Sequence, residues 1–177
     1  MNSRSDLYRV RSLSECLRDV LSDDDEAQPH PVLLHVMTQV EYWAKQTVRT
    51  MALADSSPVA TTENRWRSPS LLVLKISPRP GSRAPEQIVV GRTARADVCL
   101  PYPRISKHHA HFREVDGALE LVDNGSTNGT YIDGVRLEEG VPVALPPDCI
   151  IHFGKYETRF MAPEVFRQHL EALAGRS

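Results

Sequence analysis

Side chains that could bind an oxyanion are concentrated in the stretch from Arg104 to Thr130. They are Ser106, Lys107, Ser126, Thr127 and Asn128. They flank two segments of alternating apolar residues, which are separated by the tight-turn signal Asp116-Gly117. Antiparallel pairing of these segments would bring both polar loops to the same end of a sheet. Hydroxyl, ammonium and carboxamide groups at one edge suit a small, highly charged ligand rich in oxygen, and phosphate is the commonest such ligand.

Several short motifs occur in a fixed order around this stretch. They are Gly91-Arg92, Asp97-Val98, Ser106-Lys107-His108-His109-Ala110, the loop from Asp123 to Thr130, and Asp133-Gly134. In this order and at these gaps the chain resembles the forkhead-associated (FHA) domain, a module that binds phosphothreonine peptides. The resemblance covers roughly residues 71–162 and implies an FHA/SMAD-like all-β sandwich of about 11 short strands. Many short apolar segments separated by turn signals also favour a sandwich.

The resemblance implies phosphopeptide contacts for six residues: Arg92, Ser106, Lys107, Thr127, Asn128 and Arg104. A guanidinium such as that of Arg92 offers a fork of donors to a tetrahedral anion and stays charged. The Asn128 carboxamide would bond the peptide backbone and fix its register. The position of Arg104 often faces the third residue after the phosphothreonine in this family, where an arginine would favour an acidic side chain. The plainer alternatives are solvated surface cations for Arg92 and Lys107, and turn chemistry for Thr127 and Asn128.

A second set of residues is implied to support the binding loops. It comprises Gly91, His109, Asp123, Gly125 and Gly129. The glycines would permit backbone angles that other residues resist, while Asp123 and His109 would brace the loops. His108, His109 and His111 raise the question of a metal site, but no Cys, Asp or further His stands at a complementary spacing. No metal and no cofactor are therefore expected.

A hydrolase is the competing function class, because Ser106 and His109 are three residues apart and Asp123 follows. The chain has no G-x-S-x-G elbow, no phosphate-cradling G-x-x-x-x-G-K-[ST] loop and no kinase signature. The expectation is therefore a binding module without catalysis. By resemblance, it would be a signalling adaptor that recognises phosphothreonine in partner proteins downstream of Ser/Thr kinases.

The composition of the chain bears on which classes of partner it binds and on its cellular location. The 177 residues are 41% hydrophobic, enough for a packed core, and the net charge of -2 gives no argument for a nucleic-acid or membrane partner. No apolar run approaches a membrane span, and the first residues lack the apolar core of a signal peptide. The three cysteines, Cys16, Cys99 and Cys149, lie far apart. Their odd number favours reduced thiols and a cytoplasmic location.

The chain divides into four predicted segments. Residues 1–54 are predicted as an extension of two helices, 55–69 as a polar linker, 70–162 as the FHA domain, and 163–177 as a C-terminal helix and tail. Ser12 and Glu15 have the spacing of a capping box. Apolar residues then recur at three- and four-residue steps from about Pro31 to about Ala54, which predicts a long amphipathic helix.

Such a small helix pair is unstable alone, so it must pack on the domain, on a second copy or on a partner. An assembly scaffold, in which these helices oligomerise or capture a partner, remains an alternative function. The linker contains Thr61 and Thr62. Some small bacterial FHA proteins are phosphorylated on a threonine in such an extension and bind it internally. Either threonine is a candidate for this role, and an ordinary flexible linker is the alternative.

Overall fold

The computed structural model describes residues 10–12, 31–36, 71–79, 82, 84 and 86–175. These residues form twelve strands and one helix. The strands are β1 (Val10–Ser12), β2 (Val32–Val36), β3 (Leu71–Lys75), β4 (Gln87–Gly91), β5 (Val98–Cys99), β6 (Ala110–Val115), β7 (Ala118–Asp123), β8 (Thr130–Ile132), β9 (Val135–Arg136), β10 (Val143–Ala144), β11 (Asp148–Phe153) and β12 (Tyr156–Met161). The helix α1 spans Pro163–Ala174.

The strands form two sheets whose inner faces share one core. The seven-stranded sheet has the order β1-β3-β2-β12-β11-β8-β9, and the five-stranded sheet has the order β10-β7-β6-β4-β5. Strands β4 and β5 pair in parallel. Alternate residues of each strand face inward, so Phe112 and Leu121 of one sheet pack in the same cluster as Ile151 and Phe153 of the other. The predicted all-β sandwich with a C-terminal helix is confirmed.

The β6–β7 hairpin determines where the polar loops lie. Its register pairs Ala110 with Asp123 at the open end and Val115 with Ala118 at the turn. Asp116 and Gly117 occupy the turn with φ angles of 51° and 78°. The loop before β6 and the loop after β7 therefore leave the same end of the five-stranded sheet, and the predicted hairpin is confirmed.

Strand β2 corrects the prediction of a helix from Pro31 to Ala54. Val32–Val36 pairs antiparallel with β3 on one side and with β12 on the other, so the helix is wrong over these five residues. Leu33 is fully buried in the sandwich core. Four of the five residues in Val-Leu-Leu-His-Val are apolar, and such a run is compatible with either a buried helix or a buried strand. The free edges of β3 and β12 favour the strand, because both then gain a hydrogen-bonded neighbour.

The seven-stranded sheet thus takes two strands, β1 and β2, from the predicted helical extension. Residues 13–30 and 37–70 lie outside the described residues, and with them the rest of the predicted helices, the linker, Thr61 and Thr62. Helix α1 contributes Leu170 to a second cluster with Val32, Val73 and Met161. Among the described residues, no helix is long and apolar enough to cross a membrane.

Candidate functional site

An open cleft of about 280 Å³ lies at the end of the sandwich where the loop before β6 meets the loop after β7. It is lined by Arg92, Arg104, Ile105, Ser106, Lys107, Thr127 and Asn128. The fold therefore brings together all six residues for which phosphopeptide contacts were predicted. Sequence reasoning missed Ile105, whose side chain is only 1% exposed. The only sequence signal for Ile105 was an apolar residue between the polar residues Arg104 and Ser106.

Three cationic side chains face solvent around the cleft, those of Arg92, Arg104 and Lys107. Within the described part of the chain, none of them forms an ion pair with a carboxylate. The Arg92 guanidinium makes one long hydrogen bond, from Nη1 to the Pro103 carbonyl at 3.4 Å. Its backbone amide donates to the Ser106 carbonyl at 3.1 Å and ties the end of β4 to the loop. The guanidinium thus retains most of its donors for an anion.

Hydrogen bonds between the two loops hold the polar groups of the cleft together. The Thr127 amide donates to Ser106 Oγ at 3.2 Å, and the two hydroxyl oxygens are 3.5 Å apart. Asn128 Nδ2 donates to the Arg104 carbonyl at 2.6 Å. Two hydroxyls at this separation can bond different oxygens of one phosphate, since each has a donor that rotates to suit the acceptor.

His109 is fully buried and links both loops. Its Nδ1 accepts a hydrogen bond from the Ser106 amide at 3.1 Å, so the ring proton must be on Nε2. Nε2 then donates to the Gly129 carbonyl at 3.2 Å. Burial lowers the pKa of His109, although the Gly129 carbonyl and nearby Asp123 act in the opposite direction. The neutral ring is the form that makes both bonds.

Asp123, which is 4% exposed, organises the loop after β7 from inside. Its carboxylate accepts from the Ser126 amide at 2.9 Å and from the Ser126 hydroxyl at 2.6 Å. The Thr130 hydroxyl donates to the same carboxylate. Burial alone would raise the pKa of Asp123, but these hydrogen bonds together outweigh it and hold the pKa below its ordinary value. Ser126 therefore faces inward, unlike Thr127, and is not one of the cleft donors.

Gly91 is required by a close approach of two backbone segments. A Cβ atom built on it would lie 2.0 Å from the Lys107 carbonyl oxygen, which no side chain could tolerate. Gly125 and Gly129 belong to the loop after β7 and have φ angles of 70° and 77°. All five predicted supporting residues thus lie in or against the two loops, and none of them lines the cleft.

Among the described residues, both ring nitrogens of His109 and one ring nitrogen of His111 already have hydrogen-bond partners. Both ring nitrogens of His109 are engaged by backbone groups, so His109 is not hydrogen-bonded to the Ser106 hydroxyl as a general base would be. His111 Nδ1 pairs with Asn124 Oδ1 at 2.8 Å. In the part of the chain that the structure covers, no three His, Cys, Asp or Glu side chains are grouped as metal ligands.

Comparison with known proteins points to one family. The model of the FHA domain matches residues 88–154. The oxoglutarate dehydrogenase inhibitor of Corynebacterium efficiens is 34% identical over 119 residues, which cover 65% of this chain and 82% of that protein. The glycogen accumulation regulator GarA of Mycolicibacterium smegmatis is 30% identical over 113 residues, which cover 62% of this chain and 70% of the regulator.

Among similar solved structures is the N-terminal FHA domain of S. cerevisiae Rad53p in complex with a phosphothreonine peptide. It has 23% identity and a TM-score of 0.45, and the match covers 55% of this chain and 89% of that one. The ordered motifs, the matched family model and the similarity to the Corynebacterium protein over most of its length agree. The chain belongs to the FHA-domain family.

Proposed function

We propose that this chain binds phosphothreonine-containing segments of partner proteins and serves as a non-catalytic adaptor in Ser/Thr kinase signalling. The observation that carries the proposal is the cleft, where three cations, two hydroxyls and a carboxamide converge and no carboxylate is among the lining residues. A phosphate ester carries about -1.5 to -2 charges and three acceptor oxygens at pH 7. The positive charge and the hydrogen-bond donors of the cleft support binding of such a ligand.

The lining residues divide the work of recognition. Arg92, Ser106 and Lys107 bind the phosphate oxygens, with Thr127 adding a hydroxyl from the opposite loop. Asn128 bonds the peptide backbone, and Arg104 favours an acidic side chain at the third residue after the phosphothreonine. The separation of 3.5 Å between the Ser106 and Thr127 hydroxyls supports this division.

Two observations support an adaptor rather than an enzyme. The Ser106 hydroxyl accepts from the Thr127 amide, and His109 bonds backbone groups, so the pair is not set for nucleophilic attack. The printed names of the relatives, an oxoglutarate dehydrogenase inhibitor and a glycogen accumulation regulator, are those of regulators. In a binding assay this chain should leave its phosphopeptide intact, and release of inorganic phosphate would contradict the proposal.

Fluorescence anisotropy with phosphothreonine peptides that vary at the third following residue tests the proposal. Arg92→Ala should abolish measurable binding, because loss of a charged partner of a buried anion costs on the order of 2–5 kcal/mol. Arg95→Ala is the matched control, since Arg95 is an exposed arginine of the same segment that does not line the cleft. Circular dichroism should be unchanged in both variants. Equal affinity of the wild type and Arg92→Ala would remove Arg92 from the site.

A further inference from the structure

The turn between β11 and β12 packs against Asn128, which lines the cleft, although no residue of the turn lines the cleft itself. Phe153 and Tyr156 pair across the hairpin, so Gly154 and Lys155 form the turn. A Cβ atom built on Gly154 would lie 3.0 Å from Asn128 Cβ and 3.5 Å from the Arg104 carbonyl oxygen. The smaller distance is tighter than an ordinary van der Waals contact, so a side chain at residue 154 would require Asn128 or the turn to shift by a few tenths of an ångström.

Hydrogen bonds fix the turn to the loop after β7. The Gly154 amide donates to the Gly129 carbonyl at 2.8 Å, and that carbonyl also accepts from His109 Nε2. Gly129 follows Asn128 directly in the chain. One carbonyl oxygen therefore joins the turn, the buried histidine and the residue next to Asn128.

An aromatic stack fixes the same turn to the loop before β6. Tyr156 stacks on Tyr102 with ring centroids 4.0 Å apart and an interplanar angle of 17°. Tyr102 is 8% exposed, and its carbonyl accepts a hydrogen bond from the Ile105 amide at 3.1 Å, which further restrains the loop. The turn thus contacts both loops whose facing groups, Asn128 Nδ2 and the Arg104 carbonyl, are joined at 2.6 Å.

We propose that Gly154 is a positioning residue of the peptide-binding cleft. Its missing side chain lets the turn seat against Asn128 and holds the Asn128 carboxamide on the Arg104 carbonyl, in the orientation that reads the peptide backbone. This inference rests on the proposed function for its effect on binding. It concerns a residue that touches no ligand and acts through Asn128.

The test compares Gly154→Ala with Gly134→Ala. Gly134 is the matched control, because it also has a positive φ, 82° against 63°, and sits in a two-residue hairpin turn, but a Cβ there would meet nothing within 4 Å. Both variants carry the same kind of backbone strain. Gly154→Ala should weaken phosphothreonine-peptide binding by about tenfold, the value of one hydrogen bond, and Gly134→Ala should leave the affinity unchanged. Equal affinities for the two variants would overturn the inference.

Two further measurements separate positioning from general destabilisation. Gly154→Asn keeps the added Cβ atom but relieves strain, because asparagine tolerates positive φ, so it should fold and lose the same affinity as Gly154→Ala. In an Asn128→Ala background, the change at Gly154 should cost no further affinity, since its effect passes through the carboxamide. Additive losses would contradict this and indicate a route that bypasses Asn128.

A ligand-free readout keeps the inference testable apart from the proposed function. The side-chain amide signals of Asn128 in NMR spectra should shift in Gly154→Ala and not in Gly134→Ala. Unshifted signals would overturn the positioning role whatever the peptide assay shows. If the wild-type chain binds no phosphothreonine peptide, the proposed function is refuted. The positioning of Asn128 by Gly154 is then tested by the NMR signals alone.

Discussion

At the scale of residues, two adjacent hydroxyls of the loop after β7 have different roles. Ser126 is 8% exposed and bonds Asp123, whereas Thr127 is exposed and lines the cleft. The inward hydroxyl stabilises the loop, and the outward one is available to a ligand. This division explains how a loop rich in polar groups is held in place from inside and still presents a hydroxyl to the cleft.

The two hydroxyls should therefore separate stability from binding. Ser126→Ala leaves a buried carboxylate short of one donor and should lower the free energy of unfolding by about 1–3 kcal/mol. Thr127→Ala should leave stability unchanged and weaken phosphopeptide binding. Urea denaturation and anisotropy on the same preparations measure both quantities. The reverse assignment, with stability lost at Thr127 and binding lost at Ser126, would contradict the structure.

At the scale of elements, the binding loops depend on two buried titratable groups. The pKa values of His109 and Asp123 both lie below their ordinary values of 6.5 and 3.8. Since the unfolded chain then binds protons more readily than the folded chain, the stability contributed by these groups is present above the ordinary value and lost as the pH falls through the folded value. The free energy of unfolding should thus decline first below pH 6.5 through His109, and further below pH 3.8 through Asp123.

Denaturation at a series of pH values tests the first decline. His109→Gln should show a smaller decline than the wild type between neutral pH and pH 5, because its residue 109 cannot be protonated. His108→Gln is the control, because His108 is an exposed neighbour, and it should keep the wild-type slope. Identical slopes in all three proteins would show that His109 is not the responsible group.

Strand β2 is an integral part of the sandwich, so disrupting this strand should destabilise the whole sandwich. Leu33 is fully buried between the two sheets. Leu33→Ala should therefore cost about 2–5 kcal/mol of stability. Val135→Ala, at a position that is 70% exposed, should change stability by less than about 0.5 kcal/mol. Thermal denaturation distinguishes these values, and a negligible loss at Leu33 would argue against the strand.

The sequence predicted elements that depend on neighbouring residues, but it did not predict elements that depend on pairing with strands remote in the chain. The β6–β7 hairpin could be predicted, because alternation in Ala110–Val115 and the Asp116-Gly117 turn point to the same structure. Strand β2 could not, because its run of apolar residues fits either period and its partners β3 and β12 are remote in the chain. For the same reason the sequence contained no signal for the inward orientation of Ser126 or for the contact of Gly154 with Asn128, since both depend on packing between segments.

At the scale of the whole molecule, charge is distributed unevenly. The chain has a net charge of -2, yet the cleft has three cations without carboxylate partners among the described residues. A local positive field at one end of an otherwise slightly acidic protein favours the approach of a dianion in the right orientation. Salt screens such a field, so the association rate should fall as ionic strength rises.

In the proposed function, one cleft, built from the loops before β6 and after β7, binds a phosphorylated threonine. An NMR titration with a phosphothreonine peptide and its unphosphorylated counterpart tests this most directly. The backbone amide signals of Arg92, Ser106 and Thr127 should shift in a saturable way with the phosphorylated peptide and should not shift with the unphosphorylated one. Shifts that are equal for both peptides, or that leave these three amides unaffected, would contradict it.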